Sequence, residues 1–213
     1  AANKFVVVWA DRTNGTRHGS ARLGTISGTT VSFASTVVFN ATNSSNMEIA
    51  FDPQTSGKGL VVFSNGNSQY GTSKVASISG NTLSFGSAAV FNSAGTYYIT
   101  VACDPNTVGR AVVVYTDGGN SSYGKVIVGQ ISNTSISYGS AVTYNADASR
   151  TPSFAFDPST SGKFVVPFFD DNNSNYGTTF VGQLTVDATN LTSTNFLGTS
   201  TAAYTNGQTA KIM

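Results

Sequence analysis

Short apolar runs alternate along this chain with polar stretches that are rich in Gly, Ser, Thr and Asn. One apolar run starts at residues 4, 58, 110 and 163, where the sequence reads KFVVVW, KGLVVF, RAVVVY and KFVVPF. Runs of this kind, bounded by turn-forming residues, are typical of buried β-strands. Because the run returns at intervals of 54, 52 and 53 residues, we predict one structural unit that is repeated along the chain.

Three further motifs return in the same register. An aromatic residue or histidine stands before glycine at positions 18, 70, 123 and 176, serine stands before an aromatic residue at 32, 84 and 137, and Asp-Pro occurs at 52, 104 and 157. The shared spacing predicts a repeat array over 1–195, with units at approximately 4–57, 58–109, 110–162 and 163–195. Residues 196–213 are expected to form a terminal strand or a junction to a further domain.

The second unit shows the predicted strands most clearly. They cover residues 60–63, 70–78, 82–92 and 97–103. Turn-forming residues separate them, including a predicted turn at 93–95, and an Asp-Pro turn at 104–109 closes the unit. Four antiparallel strands in about 50 residues predict an all-β, β-propeller-like fold of about four blades, which stand alone or belong to a larger ring.

Large side chains repeat with the units and are expected to form the core between neighbouring sheets. They occupy three sets of equivalent positions: Phe33, Phe85 and Tyr138; Phe39, Phe91 and Tyr144; and Phe51, Cys103 and Phe156. Cys103 is the only cysteine, so the chain has no internal disulfide. Its place in an apolar strand favours a packing role over a reactive thiol.

The charge composition excludes some partners. Charged residues make up 10 % of the chain, against about 25 % in an average soluble domain, and the net charge is +1. Without a basic cluster, binding to a phosphate backbone has little electrostatic support, so nucleic acid is not expected as a partner. No apolar run approaches the ~20 residues of a membrane-spanning helix, so membrane insertion is not expected either.

Residues that could catalyse a reaction are scarce. Asp52, Asp104 and Asp157 precede prolines in equivalent turns, where an aspartate is expected to accept hydrogen bonds from backbone amides. His18 takes a position that is tyrosine in the other units, so we interpret it as a local substitution. We therefore predict that the protein is not an enzyme and holds no catalytic metal.

The loops between the first two strands of each unit are the best candidates for ligand binding. Carboxylate and amide groups there precede an aromatic residue, a combination that can hydrogen-bond sugar hydroxyls and stack on a sugar ring. The candidate residues are Asn65, Tyr70, Asp117, Asn120, Tyr123, Asp170, Asn173 and Tyr176. Tight turns use the same residues, and oxygen-rich loops also suit Ca²⁺. Turn formation alone and a calcium site are therefore open alternatives.

Several phrases of the sequence resemble repeats in tail-fibre and other structural proteins of marine bacteriophages, cyanophages especially. They are FDPSTSGKFVV at 156–166, NSSYG at 120–124 and SYGSAV at 137–142. The segment NFLGTSTAAYTNGQTAKI at 195–212 is similar to the junction that follows those repeats. The resemblance covers nearly the whole chain and implies an exposed virion appendage. It also implies that the junction leads into a further small β domain. This chain would then be a fragment of a longer protein and would lack that domain.

The residues and the resemblance together predict a non-enzymatic structural protein of a phage tail fibre, on a virion or another extracellular surface. The expected partners are a host cell-surface polysaccharide, bound weakly at several sites together, and other fibre subunits, including copies of the same chain. One alternative is a bacterial or secreted adhesin with a purely structural role. The other is a propeller glycosidase, which would need a pair of acidic residues.

Overall fold

The computed structural model describes residues 3–13, 15–174 and 176–184, and the backbone of 196–200. Its strands are β1 (Lys4–Asp11), β2 (His18–Ser27), β3 (Thr30–Phe33), β4 (Val37–Phe51), β5 (Lys58–Asn65), β6 (Tyr70–Ser79), β7 (Thr82–Phe85), β8 (Ala89–Cys103), β9 (Arg110–Asp117), β10 (Tyr123–Ser132), β11 (Ser135–Tyr138), β12 (Val142–Arg150), β13 (Ala155–Phe156), β14 (Lys163–Asp170), β15 (Tyr176–Gln183) and β16 (Phe196–Ser200). This part of the chain contains no helix, and so none that is long and apolar enough to cross a membrane.

All these strands belong to one antiparallel sheet. The pairing path runs β1-β2-β4-β5-β6-β8-β9-β10-β12-β14-β15-β16, and the short strands β3, β7, β11 and β13 pair with β2, β6, β10 and β14. Among the described strands, β1 and β16 lie at opposite ends of the path, so the sheet is not closed. The predicted all-β antiparallel fold is confirmed.

Long strands carry the chain from one part of the sheet to the next. β4 and β8 have 15 residues each. The first half of β8 pairs with the preceding strand β6, with Val90 opposite Thr72, and its second half pairs with the following strand β9, with Val101 opposite Val113. β4 links β2 to β5 in this way, and β12 links β10 to β14.

These crossings divide the sheet into four consecutive layers. Layer 1 contains β1 to β3 and the first half of β4, and layer 2 contains the second half of β4, β5 to β7 and the first half of β8. Layer 3 contains the second half of β8, β9 to β11 and most of β12, and layer 4 contains the end of β12 and β13 to β16.

A β-bulge lies in the middle of each of the two longest strands. The pairing register shifts after Ser45 in β4 and after Tyr97 in β8. The next residues, Asn46 and Tyr98, have φ angles of 46° and 47°, in the left-handed region. A bulge bends a strand and increases its twist, which lets the second half of the strand leave one layer and enter the next.

Two strand boundaries predicted for the second unit are wrong. The predicted strand at 82–92 is divided between β7 and β8, and the predicted turn at 93–95 lies inside β8. The backbone N–H of Thr96 donates to the carbonyl of Gln69 at 3.0 Å, and the Asn92 side chain donates to Asp117 at 3.1 Å. These contacts hold the backbone extended in spite of its turn-like composition.

Consecutive layers pack face to face. In β5, Val61 and Phe63 pack against layer 1, whereas Leu60 and Val62 pack against layer 3. Successive residues of a strand point to opposite faces. A layer that is covered on both faces therefore needs an unbroken apolar run, and this is the run that repeats in the sequence.

The repeated aromatic rings lie at the layer boundaries. They meet as Phe39 with Phe63, Phe91 with Tyr115, and Tyr144 with Phe168, at centroid separations of 5.3, 5.2 and 5.0 Å. Phe39, Phe91 and Tyr144 are buried, and so is Cys103, which confirms the packing roles predicted for them. Phe33 differs, because the residue is 51 % exposed, and its ring meets that of Phe5 at a centroid separation of 5.7 Å.

The glycine of the aromatic-glycine motif makes room for these rings. A Cβ on Gly71 would lie 2.5 Å from a ring carbon of Phe91, and a Cβ on Gly124 would lie 2.4 Å from a ring carbon of Tyr144. Both separations are well below van der Waals contact. The glycine is therefore required by packing between the second strand of a layer and the long strand beside it.

We predict that Gly124→Ala lowers the free energy of unfolding by roughly 1–3 kcal/mol, because the added methyl group overpacks the site under Tyr144. The matched control is Gly177→Ala, at the equivalent position of layer 4, where no described atom lies within 4 Å of the added Cβ. Urea unfolding of both variants measures the difference. Equal stabilities would show that the ring contact does not require glycine.

We also predict that the thiol of Cys103 does not react in the folded protein. Burial, with a further contribution from Asp52 and Asp104, raises its pKa to about 12, so the thiolate is scarce at pH 8. Titration with a chromogenic disulfide reagent should find no reactive thiol in the native state and one in denaturant. Rapid labelling of the native protein would contradict the packing role.

Candidate functional site

The loops that were predicted to bind a ligand lie at one end of the layers, between β5 and β6, β9 and β10, and β14 and β15. Strand register places the members of each predicted pair directly opposite one another: Asn65 with Tyr70, Asp117 with Tyr123, and Asp170 with Tyr176. Opposite residues of an antiparallel pair have their Cβ atoms about 5 Å apart. The structure therefore brings each carboxylate or amide next to its tyrosine.

Two of these polar side chains are hydrogen-bonded inside the protein. The Oδ1 atom of Asn65 accepts from Asn40 Nδ2 at 2.8 Å and from Thr42 Oγ1 at 2.7 Å. The Oδ1 atom of Asp117 accepts from Asn92 Nδ2 at 3.1 Å and from the N–H of Gly119 at 3.1 Å. These oxygens join each loop to the long strand beside it.

The donors to these oxygens were missed by sequence reasoning, although a signal for them exists. Asn40, Asn92 and Asn145 each follow the repeated aromatic residue of the long strand. Each donates to a hydroxyl four residues later, on Ser44, Thr96 and Ser149, at 2.8, 3.0 and 2.9 Å. The asparagine is thus part of the same repeated packing as the ring before it.

In the last loop, two adjacent aspartates are placed differently. Asp170 is 8 % exposed, and its Oδ1 atom has no hydrogen-bond partner among the described residues. Asp171 forms an ion pair with Arg150, whose Nε donates to Asp171 Oδ2 at 2.8 Å. The ion pair lies within layer 4, where it joins the β14–β15 loop to the end of β12, and the Arg150 side chain is largely exposed.

The remaining predicted residues lie at the loop surface. Asn120 is exposed and Asn173 is half-buried, and their backbone carbonyls accept from the N–H groups of Tyr123 and Tyr176 at 2.9 Å in both cases. The tyrosines at 70 and 176 are 41 % exposed, whereas the one at 123 is half-buried. Tyr176 therefore offers the most accessible ring within the predicted set of layers 3 and 4.

A cleft opens beside these loops where layers 3 and 4 meet. Its volume is ≈ 400 Å³. The residues that line it include Asn46, Tyr97, Tyr98, Ser122, Arg150 and Asp171. Tyr98 exposes 41 % of its surface. The cleft therefore combines aromatic, amide, hydroxyl and charged groups within one concave surface.

A second cleft occupies the equivalent place between layers 1 and 2. Its volume is ≈ 390 Å³. Arg17, Asn43, Asn67 and Gln69 provide most of its side-chain polar groups, and Ser44 and Ser45 belong to its lining as well. The two clefts share repeat positions, since Ser44 is equivalent to Ser149 and Ser45 to Arg150. Both open at the loop end of the array.

The Asp-Pro turns have the structural role predicted for them. Asp52, Asp104 and Asp157 each accept from the N–H two residues later, at 2.9, 2.8 and 2.9 Å. The bond from the Ser159 N–H lowers the pKa of Asp157 below its ordinary value. Asp104 is fully buried and pairs with Arg110, whose Nε lies 2.8 Å from its Oδ2. The turns therefore close the units and anchor the following strand.

Other candidate chemistry is sparse in the described part of the chain. No group of three or more His, Cys, Asp and Glu side chains there is arranged to hold a metal ion. His18 lies opposite Asp11 in the β1–β2 pair. A side-chain hydrogen bond from Thr13, helped by the charge of His18, lowers the pKa of Asp11.

A scan against models of protein families gives no match, and a search of the curated proteins finds none that is similar. The clefts, the loops and the repeat itself are therefore the features from which a function can be inferred.

We predict that Arg110→Met lowers the free energy of unfolding by about 3–5 kcal/mol, because it leaves the buried Asp104 carboxylate without its partner. The control is Arg150→Met, which removes the largely exposed member of the ion pair with Asp171 and should cost at most about 1 kcal/mol. Chemical unfolding of both variants measures the contrast. Similar losses would mean that the Asp104 turn does not depend on its ion pair.

Proposed function

We propose that the chain is a non-enzymatic, propeller-like part of a surface appendage similar to a phage tail fibre, and that it attaches to a host cell-surface polysaccharide. The observation that carries this proposal is the pair of repeat-equivalent clefts at one end of the array. The proposed location of the protein on a virion or another extracellular surface rests on the resemblance of the repeats. The polar, weakly charged composition is in keeping with such a surface.

The chemistry of the clefts suits a sugar. Tyr97 and Tyr98 offer ring surface on which an apolar sugar face can stack, while Asn46 and Ser122 offer hydrogen-bonding groups for hydroxyls. A volume of ≈ 400 Å³ falls within the range of about 300–1,000 Å³ that is usual for small-molecule sites. One or two sugar residues of a longer glycan would occupy each cleft.

None of the eight predicted residues lines either cleft, but the loops that hold them reach both clefts through neighbouring residues. Asn67 belongs to the β5–β6 loop, Ser122 to the β9–β10 loop and Asp171 to the β14–β15 loop, and all three line a cleft. We therefore propose that the tyrosines at 70, 123 and 176 lie along the path of the bound polymer, with Asn120 and Asn173 as polar contacts. In this proposal Asn65, Asp117 and Asp170, at the strand ends, support the loops and do not contact the polymer.

Two clefts at one end of the array allow multivalent binding. Each site alone would be weak, because it is open to water. A polysaccharide that occupies both sites makes the second contact within one complex, at an effective concentration that can reach the millimolar range. Attachment by several weak sites of this kind is expected of a receptor-binding appendage.

The propeller-like part of the proposal is supported by the packing of the layers. Four-stranded antiparallel sheets that pack face to face in sequence are the arrangement of propeller blades. The three core clusters between layers 1 and 2, 2 and 3, and 3 and 4 follow that order. Because the described sheet is open, we propose a propeller-like row of blades rather than a closed ring of four.

A glycosidase is the less well supported alternative. Such enzymes place two carboxyl groups about 5–10 Å apart across the scissile bond. Among the residues that line the two clefts, Asp171 is the one acidic side chain, and it is paired with Arg150. A calcium site in the same loops is a further alternative. Release of reducing ends from a bound polysaccharide would favour the enzyme.

We predict that the purified chain is retained selectively on an array of bacterial envelope glycans, and that Tyr98→Ala and Tyr176→Ala weaken retention by roughly three- to tenfold. This loss corresponds to one aromatic stacking contact. Val108→Ala, which changes a highly exposed side chain in the turn at 104–109, is the control and should bind normally.

The melting temperature separates binding from scaffolding. Both tyrosine variants should unfold near the temperature of the unmodified protein, because each ring is 41 % exposed. A large fall would instead assign the rings to the core. Parallel arrays with Ca²⁺ and with a chelator test the calcium alternative. Uniform absence of retention by folded protein would overturn the glycan proposal and favour the purely structural adhesin.

A further inference from the structure

The outer face of layer 1 carries side chains that are buried in every other layer. Val6 and Val8 pack against layer 2, so Val7, between them, points to the opposite face. Val7 is 42 % exposed. The equivalent residues of the other layers, Val61, Val113 and Val166, are all 0 % exposed because the preceding layer covers them.

The same difference extends over the whole face. Ile26, Val31 and Phe33 are between 43 % and 51 % exposed. Their equivalents in layers 2 and 3 belong to the boundary cores or pack against them: Ile78, Leu83 and Phe85, and Ile131, Ile136 and Tyr138. At these positions layer 1 therefore presents apolar side chains that no described layer covers, together with the exposed Arg22 opposite Val7. Continuous exposed apolar patches of this kind mark interaction sites in soluble proteins.

The far face of layer 4 also exposes side chains whose equivalents in other layers are buried. Phe164, Val166 and Phe168 pack against layer 3, so Val165, Pro167 and Phe169 point outward. Pro167 is exposed and Phe169 is 39 % exposed. The residues at the position of Pro167 in layers 2 and 3 are Val62 and Val114, and both are fully buried against the layer that follows.

We infer that copies of this chain join end to end, with the far face of layer 4 of one copy packed against the outer face of layer 1 of the next. The three internal layer boundaries are the pattern for this contact, since each joins the same two kinds of face in the same order. In the end-to-end contact, each exposed face packs against a face of the second copy. That face is equivalent by sequence to the one that the same kind of face contacts at the boundaries inside the chain.

The two faces of this interface are different, so it is heterologous. An interface of this kind leaves one free face at each end of a pair and adds further copies until the array closes into a ring or continues as a row. Every added copy repeats the two clefts at the loop end. The interface does not depend on the proposed glycan binding, and either can fail without the other.

The experiment uses two variants of the full chain, each with a charge on one face. Val7→Asp blocks the outer face of layer 1 and Pro167→Asp blocks the far face of layer 4. Burial of an unpaired carboxylate opposes either contact. The control is Val108→Asp, which places the same charge at a highly exposed position away from both faces. Circular dichroism verifies that each variant is folded.

Light scattering coupled to size-exclusion chromatography gives the mass of each sample over a wide concentration range. We expect assemblies of two or more copies for the unmodified protein and for V108D, and single chains for V7D and for P167D. An equimolar mixture of V7D and P167D should form a pair and nothing larger. Each variant retains the one face that its partner needs.

Three results would overturn the inference. A single-chain mass for the unmodified protein at every concentration would mean that the faces are covered within one chain. Full assembly of P167D alone would mean that the layer 1 face pairs with itself. A mixture of V7D and P167D that stays monomeric, with both proteins folded, would mean that the two faces do not bind each other.

Discussion

Burial of both faces of each layer is the constraint on which the rest of the structure depends. A sheet that packs on one side alternates apolar and polar residues, but β5 and β9 are apolar at consecutive positions because both sides are covered. Val112 and Val113, one residue apart, belong to different core clusters. A single unit would leave one of these faces in water, so the units are stable only as a stack.

This constraint explains the long strands. For the layers to stack, the chain must cross from one layer to the next without a bulky connection. It crosses within β4 and β8, which remain extended through a bulge. The bulge requires left-handed backbone at Asn46 and Tyr98, a conformation that costs on the order of 1 kcal/mol or more for residues other than glycine. Both residues line the cleft between layers 3 and 4. The cleft is thus a consequence of how the chain changes layers.

The sequence predicted the features that come from repetition of burial, and it missed those that come from contacts between units. The apolar runs, the core rings and the Asp-Pro turns all follow from local pattern. The turn predicted at 93–95 failed because Asn92 and Thr96 are held by groups from neighbouring loops. No packing role was predicted for the glycines that follow Tyr70 and Tyr123, although a ring from the adjacent long strand requires both of them. Tyr98 and Arg150 of the cleft belong to different units, and no motif connects them.

In such an array, some positions keep their residue type from layer to layer and others change it. The two kinds of position have separate roles. The asparagine of the long strand is the same at 40, 92 and 145 because its hydrogen bonds to the hydroxyl four residues later recur at each boundary. Five residues further on, the equivalent positions carry Ser45, Tyr97 and Arg150, and all three line a cleft. One scaffold thus presents chemically different sites in a fixed geometry. Different sites in register suit a polymer whose successive sugars differ, and they would give selectivity that identical weak sites could not provide.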